Sequence, residues 1–272
     1  MTPYKAYILE RTVAIAAGCP IALADEHIST ELPFVTEVPQ FRDLNDVAKR
    51  KHFINHVQAY QLQSHIHSVQ LFNQPLPEQS PDYNSWVETT KESIERLVAQ
   101  IAHDGVAPSW LVMATRQCQV LLYRPCSRNI APTTWSLVAA ARASIDFIKS
   151  SLDVVTAGGF VLAFELSNCC FHAGMVLLYI LNNHGSEDEL ANITQDCQEA
   201  LDILLQVFVS STKEIPPFLD PWRRVSMLII SRIFLPRDGQ PYLMPLIMFE
   251  DLGKLASEIQ QGMVHIKKTL AF

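Results

Sequence analysis

Glu165, Asn168, Cys169 and His172 stand at steps of three and four within one apolar stretch, so a helix through them places all four on one face. In apolar surroundings a Glu and a His two turns apart can pair, shift each other's proton affinity, and protonate or hydrogen-bond a carbonyl. Glu165 and His172 are therefore the candidate catalytic pair, with Asn168 as a candidate ligand-binding neighbour. The competing reading is that His172 only satisfies Glu165 or a backbone group across a helix interface.

A second polar set, Arg116, Gln119, Tyr123 and Arg124, is embedded among apolar residues, and the first three share a helical stripe. Arg116, Gln119 and Tyr123 could hold a carboxylate or an oxygenated ring; groups of this kind also tie adjacent helices together. Trp222, followed by Arg223 and Arg224, offers an aromatic ring and a cation beside a ligand, or an ordinary core anchor.

Metal chemistry finds no support. Adjacent Cys169 and Cys170 on a helix point about 100 degrees apart and do not converge on one ion with His172. His52 and His56 are four residues apart but lack the Glu that follows the first His of a zinc-protease helix. The stretch containing His52, His56, His65 and His67 reads as a solvated face. No phosphate loop, nucleophile elbow or dinucleotide fingerprint occurs, so no cofactor is expected.

These residues need elements to hold them. The chain has 272 residues, 49% hydrophobic and only 18% charged, which supports one large core; a single domain over 1–272 is expected, with a subdivision into 1–80 and 81–272 as the variant. A net charge of -7 and a pI near 5.7, with no basic block, exclude direct nucleic-acid binding. The apolar stretch from Val154 to Leu181 is interrupted by Glu165, Asn168 and His172, and so reads as a core helix with no membrane span. The N-terminal segment has no signal layout, so the expected location is cytoplasmic or nuclear. The six cysteines are expected to be free thiols used as small apolar groups.

Apolar residues recur at helical spacing and strand patterns are weak, so the fold class is all-α. Helices are expected over Tyr4–Ala17, Phe41–Phe72, Asn84–His103, Trp110–Arg124, Thr134–Leu152 and Phe160–Leu181, and from Ser186 to about Val209. Two more are expected at Trp222–Phe234 and Leu246–Leu270. Gly18-Cys19-Pro20, Pro75, Pro108, Pro125 and Pro132 punctuate the series, with Thr133 and Thr134 as N-cap candidates and Ser186 with Glu189 as a capping box.

Residues 7 to 33, YILERTVAIAAGCPIALADEHISTELP, resemble the signature of the middle homology region of fungal zinc binuclear cluster transcription factors. The corresponding parts are Tyr7, Glu10-Arg11, Gly18-Cys19-Pro20, Asp25-Glu26 and Leu32-Pro33; Gln117 to Cys126 and Phe171 to Leu181 resemble two further helices of these regulators. The resemblance implies a multi-helix orthogonal bundle that acts as an effector-binding, activity-controlling domain. Cys19 departs from the pattern, since the family's turn usually carries Arg there. The family's zinc cluster is expected to be absent because the chain starts a few residues before the signature, and no helix would then enter the major groove.

Two functions follow as expectations. One is a small-molecule-binding protein of fungal secondary metabolism, working as a cofactor-free cyclase that promotes an intramolecular Diels-Alder or similar pericyclic reaction of a terpenoid or polyketide. The other is a regulator that does not bind DNA, or a fragment of a zinc-cluster transcription factor. The expected partner is a hydrophobic small molecule, with a homodimer or pairing with a related regulator as further options; neither nucleic acid nor membrane is an expected partner.

Overall fold

A computed structural model of the chain describes residues 3–23, 25, 47–104, 106–129, 132–156, 163–184 and 188–211. These residues form α1 (Pro3–Ala17), α2 (Val47–Leu71), α3 (Tyr83–His103), α4 (Ser109–Tyr123), α5 (Thr134–Thr156), α6 (Ala163–His184) and α7 (Asp188–Ser211). Only an isolated bridge between Cys126 and Asn129 interrupts the helical pattern, so the described part of the chain is all-α, as expected. The helices expected after residue 211 and the Ser186 capping box lie outside the described residues.

Helix ends follow local chemistry. α1 stops at Gly18, whose φ of 63° is left-handed. The Cys19 N–H donates to the Ala14 carbonyl at 2.9 Å and the Gly18 N–H to the Ile15 carbonyl at 3.3 Å, the paired bonds of a Schellman stop. Asp82 caps α3 by accepting the Ser85 N–H at 2.8 Å, and Thr133 caps α5 by accepting the Ser136 N–H at 3.2 Å.

Arg11 ties the turn back onto α1. It is fully buried, its Nη1 pairs with Glu10, and its Nη2 donates to the Leu23 carbonyl and, at 2.9 Å, to Asp25. The Tyr7 ring lies 4.2 Å from the guanidinium, and its hydroxyl donates to Asp25 at 2.7 Å. The residues that carry the resemblance therefore build a clamp. Burial alone would weaken the charge on Arg11, but the bonds and charges of Glu10, Tyr7 and Asp25 outweigh it and raise its proton affinity.

α3 runs back along α2, shown by bonds from Gln70 to Tyr83 at 3.2 Å and from Gln100 to Asn55 at 2.9 Å. α4 then runs parallel to α2: Gln63 donates to the Ala114 carbonyl and Gln70 to the Leu122 carbonyl, both at 2.9 Å. α5 is antiparallel to α4, since Tyr123 meets Trp135 and Arg116 pairs with Asp146, and it also carries α6 and α7. Its Ala140, Ala141 and Ala143 permit close approach while Leu137, Phe147 and Ile148 fill the core. Each such large apolar side chain contributes roughly 2 kcal/mol through burial. One connected core reaches from Ile15 to Val207, and no helix among the described residues is long and apolar enough to cross a membrane.

The expectation of a solvated His-rich face on α2 is corrected. His52, Gln63, His67 and Gln70 are buried, His56 is half-buried, and only His65 is exposed. α1, α3 and α4 all pack on α2, and Gln63 and Gln70 use α4 carbonyls as acceptors, which offsets the cost of withdrawing these two amides from water.

Candidate functional site

The α2–α4 contact gathers a polar set around Gln70. Its Nε2 donates to the Leu122 carbonyl at 2.9 Å and to the Tyr83 hydroxyl at 3.2 Å, and its Oε1 accepts from Arg124 Nε at 3.3 Å. Ser127 donates to the Gln70 carbonyl at 3.0 Å. Gln70 is thereby held on both sides, and it holds Arg124 in turn.

Arg124 is the residue at which α4 ends, where Pro125 forbids another turn and the exposed carbonyl ends of the helix favour a cation. Its Nη2 is enclosed and has no hydrogen-bond partner among the described residues. Burial lowers its proton affinity, and the ionisable groups that counter this are the Cys126 thiol and the Tyr83 hydroxyl, neither a carboxylate. Burial and the neighbouring Cys126 also push the Tyr83 hydroxyl well above the usual tyrosine range, so it stays neutral beside the cation. A guanidinium retains its charge in such a place.

His67 lies one turn before Gln70 on α2. Its Nε2 is 2.9 Å from the Cys19 carbonyl, which can only accept, so Nε2 carries the proton and Nδ1 presents a lone pair. That Nδ1 is enclosed and unpartnered among the described residues, as is Nδ1 of His172 on α6. Burial, then the charges of Arg124 and His67, hold the His172 imidazole down to about 4. Burial and Arg124 likewise lower His67, against the opposing bond to Cys19. One guanidinium and two neutral imidazoles thus feel one another. Gln117, two turns before Arg124 on the same stripe of α4, adds an amide whose Oε1 and Nε2 are both enclosed and unpartnered among the described residues. Each such group left unbonded costs about 1–3 kcal/mol.

The candidates read from spacing fare differently. Of the Glu165, Asn168 and His172 set, only His172 has a described side chain, and its imidazole is held down by burial and then by the charges of Arg124 and His67; the side chains of Glu165 and Asn168 lie outside the described ones, as does Trp222 altogether. Arg116 bonds Gln119 at 3.2 Å and pairs with Asp146 of α5 at 3.3 Å, with 38% and 50% of the two charged side chains exposed. Tyr123 is 8% exposed and its ring meets Trp135 of α5 edge-on at 5.7 Å. Burial, then Glu88 and Glu95, push its hydroxyl up to about 12. Arg116 and Tyr123 thus connect α4 to α5, away from the enclosed bases.

His67 and Gln70 are hidden from any reading that equates a polar helix with a solvated one. Their signal is the spacing of His52, His56, Gln63, His67 and Gln70, steps of four, seven, four and three that keep all five on one face. Arg124 stands among the polar residues of α4 but off the stripe that Arg116, Gln119 and Tyr123 share.

The set can donate one charged N–H and accept one O–H, which suits a carbonyl or acidic oxygen held inside an apolar protein. Among the described residues no three His, Cys, Asp or Glu side chains come together as a metal site would need. A scan of protein-family models, a search of curated proteins and a search of solved structures each return no match.

Proposed function

We propose that this chain is a small-molecule-binding helical protein of fungal secondary metabolism. Its ligand is an apolar terpenoid or polyketide whose oxygenated head lies against Arg124, His67 and His172. The observation that carries the reading is the enclosed Arg124 Nη2, a charged donor that lacks both a hydrogen-bond partner and a carboxylate among the described residues. A protein that only needed stability would gain by replacing or pairing such a group.

The finer form of the proposal is a cofactor-free cyclase. A hydrogen bond from Arg124 to a carbonyl conjugated with an alkene withdraws electron density from that alkene, and apolar walls hold the diene in reach, which is what an intramolecular Diels-Alder reaction requires. No proton or electron has to be exchanged with the protein. The bundle resembling a fungal regulatory domain, with the Arg11 clamp at its signature, is the scaffold in this proposal, and the cytosol or nucleus is its place.

The test is a thermal-shift screen of the purified chain against terpenoid and polyketide intermediates, with mass analysis before and after incubation. A compound that raises Tm and returns as an isomer of equal mass supports the cyclase. One that raises Tm and returns unchanged leaves the binding reading and removes the catalysis. Absence of any stabilising compound rejects both.

A further inference from the structure

We propose that the ligand's head pairs an anionic oxygen with a neighbouring hydroxyl, the oxygen on Arg124 Nη2 and the hydroxyl donating to His67 Nδ1. This rests on the small-molecule reading above and adds the charge and the hydrogen-bonding pattern of what is bound.

The geometry comes from two facing helices. Gln70 Oε1 accepts from Arg124 Nε at 3.3 Å, and His67 lies one turn away on the same face of α2, so the guanidinium is anchored on the face that carries the imidazole. Gln70 is fixed by Leu122 and Tyr83, and His67 by the Cys19 carbonyl, so both groups are oriented before anything binds. The enclosed donor, Arg124 Nη2, carries the positive charge, and an anionic oxygen is its complement.

A bare carboxylate or phosphate dianion fits less well. The bond to Cys19 places the His67 proton on Nε2, so the enclosed and unpartnered Nδ1 keeps a lone pair on the face of α2 that also holds Arg124 through Gln70. An oxyanion alone would meet that lone pair with repulsion. A hydroxyl beside it converts the contact into a hydrogen bond, as in a 2-hydroxy carboxylate or a singly protonated phosphate monoester. A terminal alcohol satisfies His67 but leaves the cation without a counter-charge.

Calorimetric titration of the whole chain with 2-hydroxydecanoate, decyl phosphate, decanoate and decanol, at about pH 6 where a phosphate monoester retains a proton in part, separates these cases. The expected order is 2-hydroxydecanoate or decyl phosphate tightest, decanoate weaker and decanol weakest. Whichever of the first two leads identifies a carboxylate or a phosphate source. Arg124→Gln is expected to weaken the two leading acids about 10- to 100-fold and to leave decanol unchanged. If decanol matches the acids, the oxyanion inference fails while binding of apolar molecules stands. If decanoate matches 2-hydroxydecanoate, the hydroxyl contact fails. If no probe binds, the inference and the reading beneath it fail together. Should Arg124→Gln not fold, the arginine side-chain nitrogen signals of the unaltered protein decide: a shift of the Arg124 guanidinium signals on adding 2-hydroxydecanoate supports the contact, and unmoved signals overturn it.

Discussion

His56 makes stability depend on pH in a window that can be calculated. Its ring lies 5.0 Å from Tyr60 and 4.6 Å from Trp110, and burial alone holds its imidazole down to about 4. In the unfolded chain a histidine titrates near about 6.5. Between these values the unfolded chain takes up a proton that the folded chain refuses, so stability is unaffected above the upper value and falls as pH drops toward the lower one. At about pH 4.5 the difference amounts to about 2–3 kcal/mol, a large part of a typical 5–15 kcal/mol total. Urea unfolding of the unaltered chain and of His56→Gln, each at about pH 7 and about pH 4.5, measures it. Carboxylates titrate in both proteins and cancel in the comparison. The variant is expected to lose about 2–3 kcal/mol less than the unaltered chain on acidification. Equal losses in the two proteins would falsify the claim that His56 is held neutral by its aromatic enclosure.

Three further outcomes are expected. His172→Gln reduces the acid loss by a similar amount, because its imidazole is also held down to about 4; an Arg124→Gln variant that leaves His172's titration in NMR unchanged would show that the guanidinium plays no part in it. Gly18→Ala costs about 1 kcal/mol, measured by chemical denaturation, since a new Cβ meets nothing within 4 Å and only the left-handed φ of 63° resists it. A loss near zero refutes the Schellman stop. Cys118 and Cys170, both buried with thiols pushed up to about 12, remain unlabelled by a thiol reagent in the native protein at about pH 8 and react on unfolding. Rapid native labelling of either, read by peptide mapping, contradicts the core described above.

Breaking the Arg11 clamp separates fold from site. Arg11→Met removes a fully buried cation bonded to Glu10, Asp25 and the Leu23 carbonyl, and is expected to cost about 2–3 kcal/mol, at the lower end for a broken buried pair because both carboxylates keep access to water. The turn it secures also supplies the Cys19 carbonyl to His67, so the His67 tautomer, followed by imidazole nitrogen shifts, is expected to become mixed. An unchanged tautomer places the control of His67 elsewhere.

Local chemistry is written in consecutive residues, and those parts of the protein are legible in the amino-acid sequence alone. The breaks at Gly18, Pro108, Pro125 and Pro132 and the apolar spacing between them locate six helices within a few residues of α1 and α3 to α7, and Thr133 is recognisable as a cap. These features depend on neighbours three or four positions away. Of the candidate site, His172 is legible as an unusual polar group in an apolar helix, and Arg124 as one polar residue among apolar ones. Their meeting is not. His67 and Arg124 are far apart in the chain, and Arg124 reaches the face of α2 that carries His67 only because α2 and α4 lie parallel, a consequence of which faces pack after α3 reverses the chain. The same packing turns an apparently solvated histidine face inward, since a polar side chain reveals its burial only when the acceptors that satisfy it, here the carbonyls of Ala114, Leu122 and Cys19, arrive from other elements. Periodicity determines the helices; the pairing of distant donors with acceptors, and the few donors left without one, is decided by tertiary structure alone.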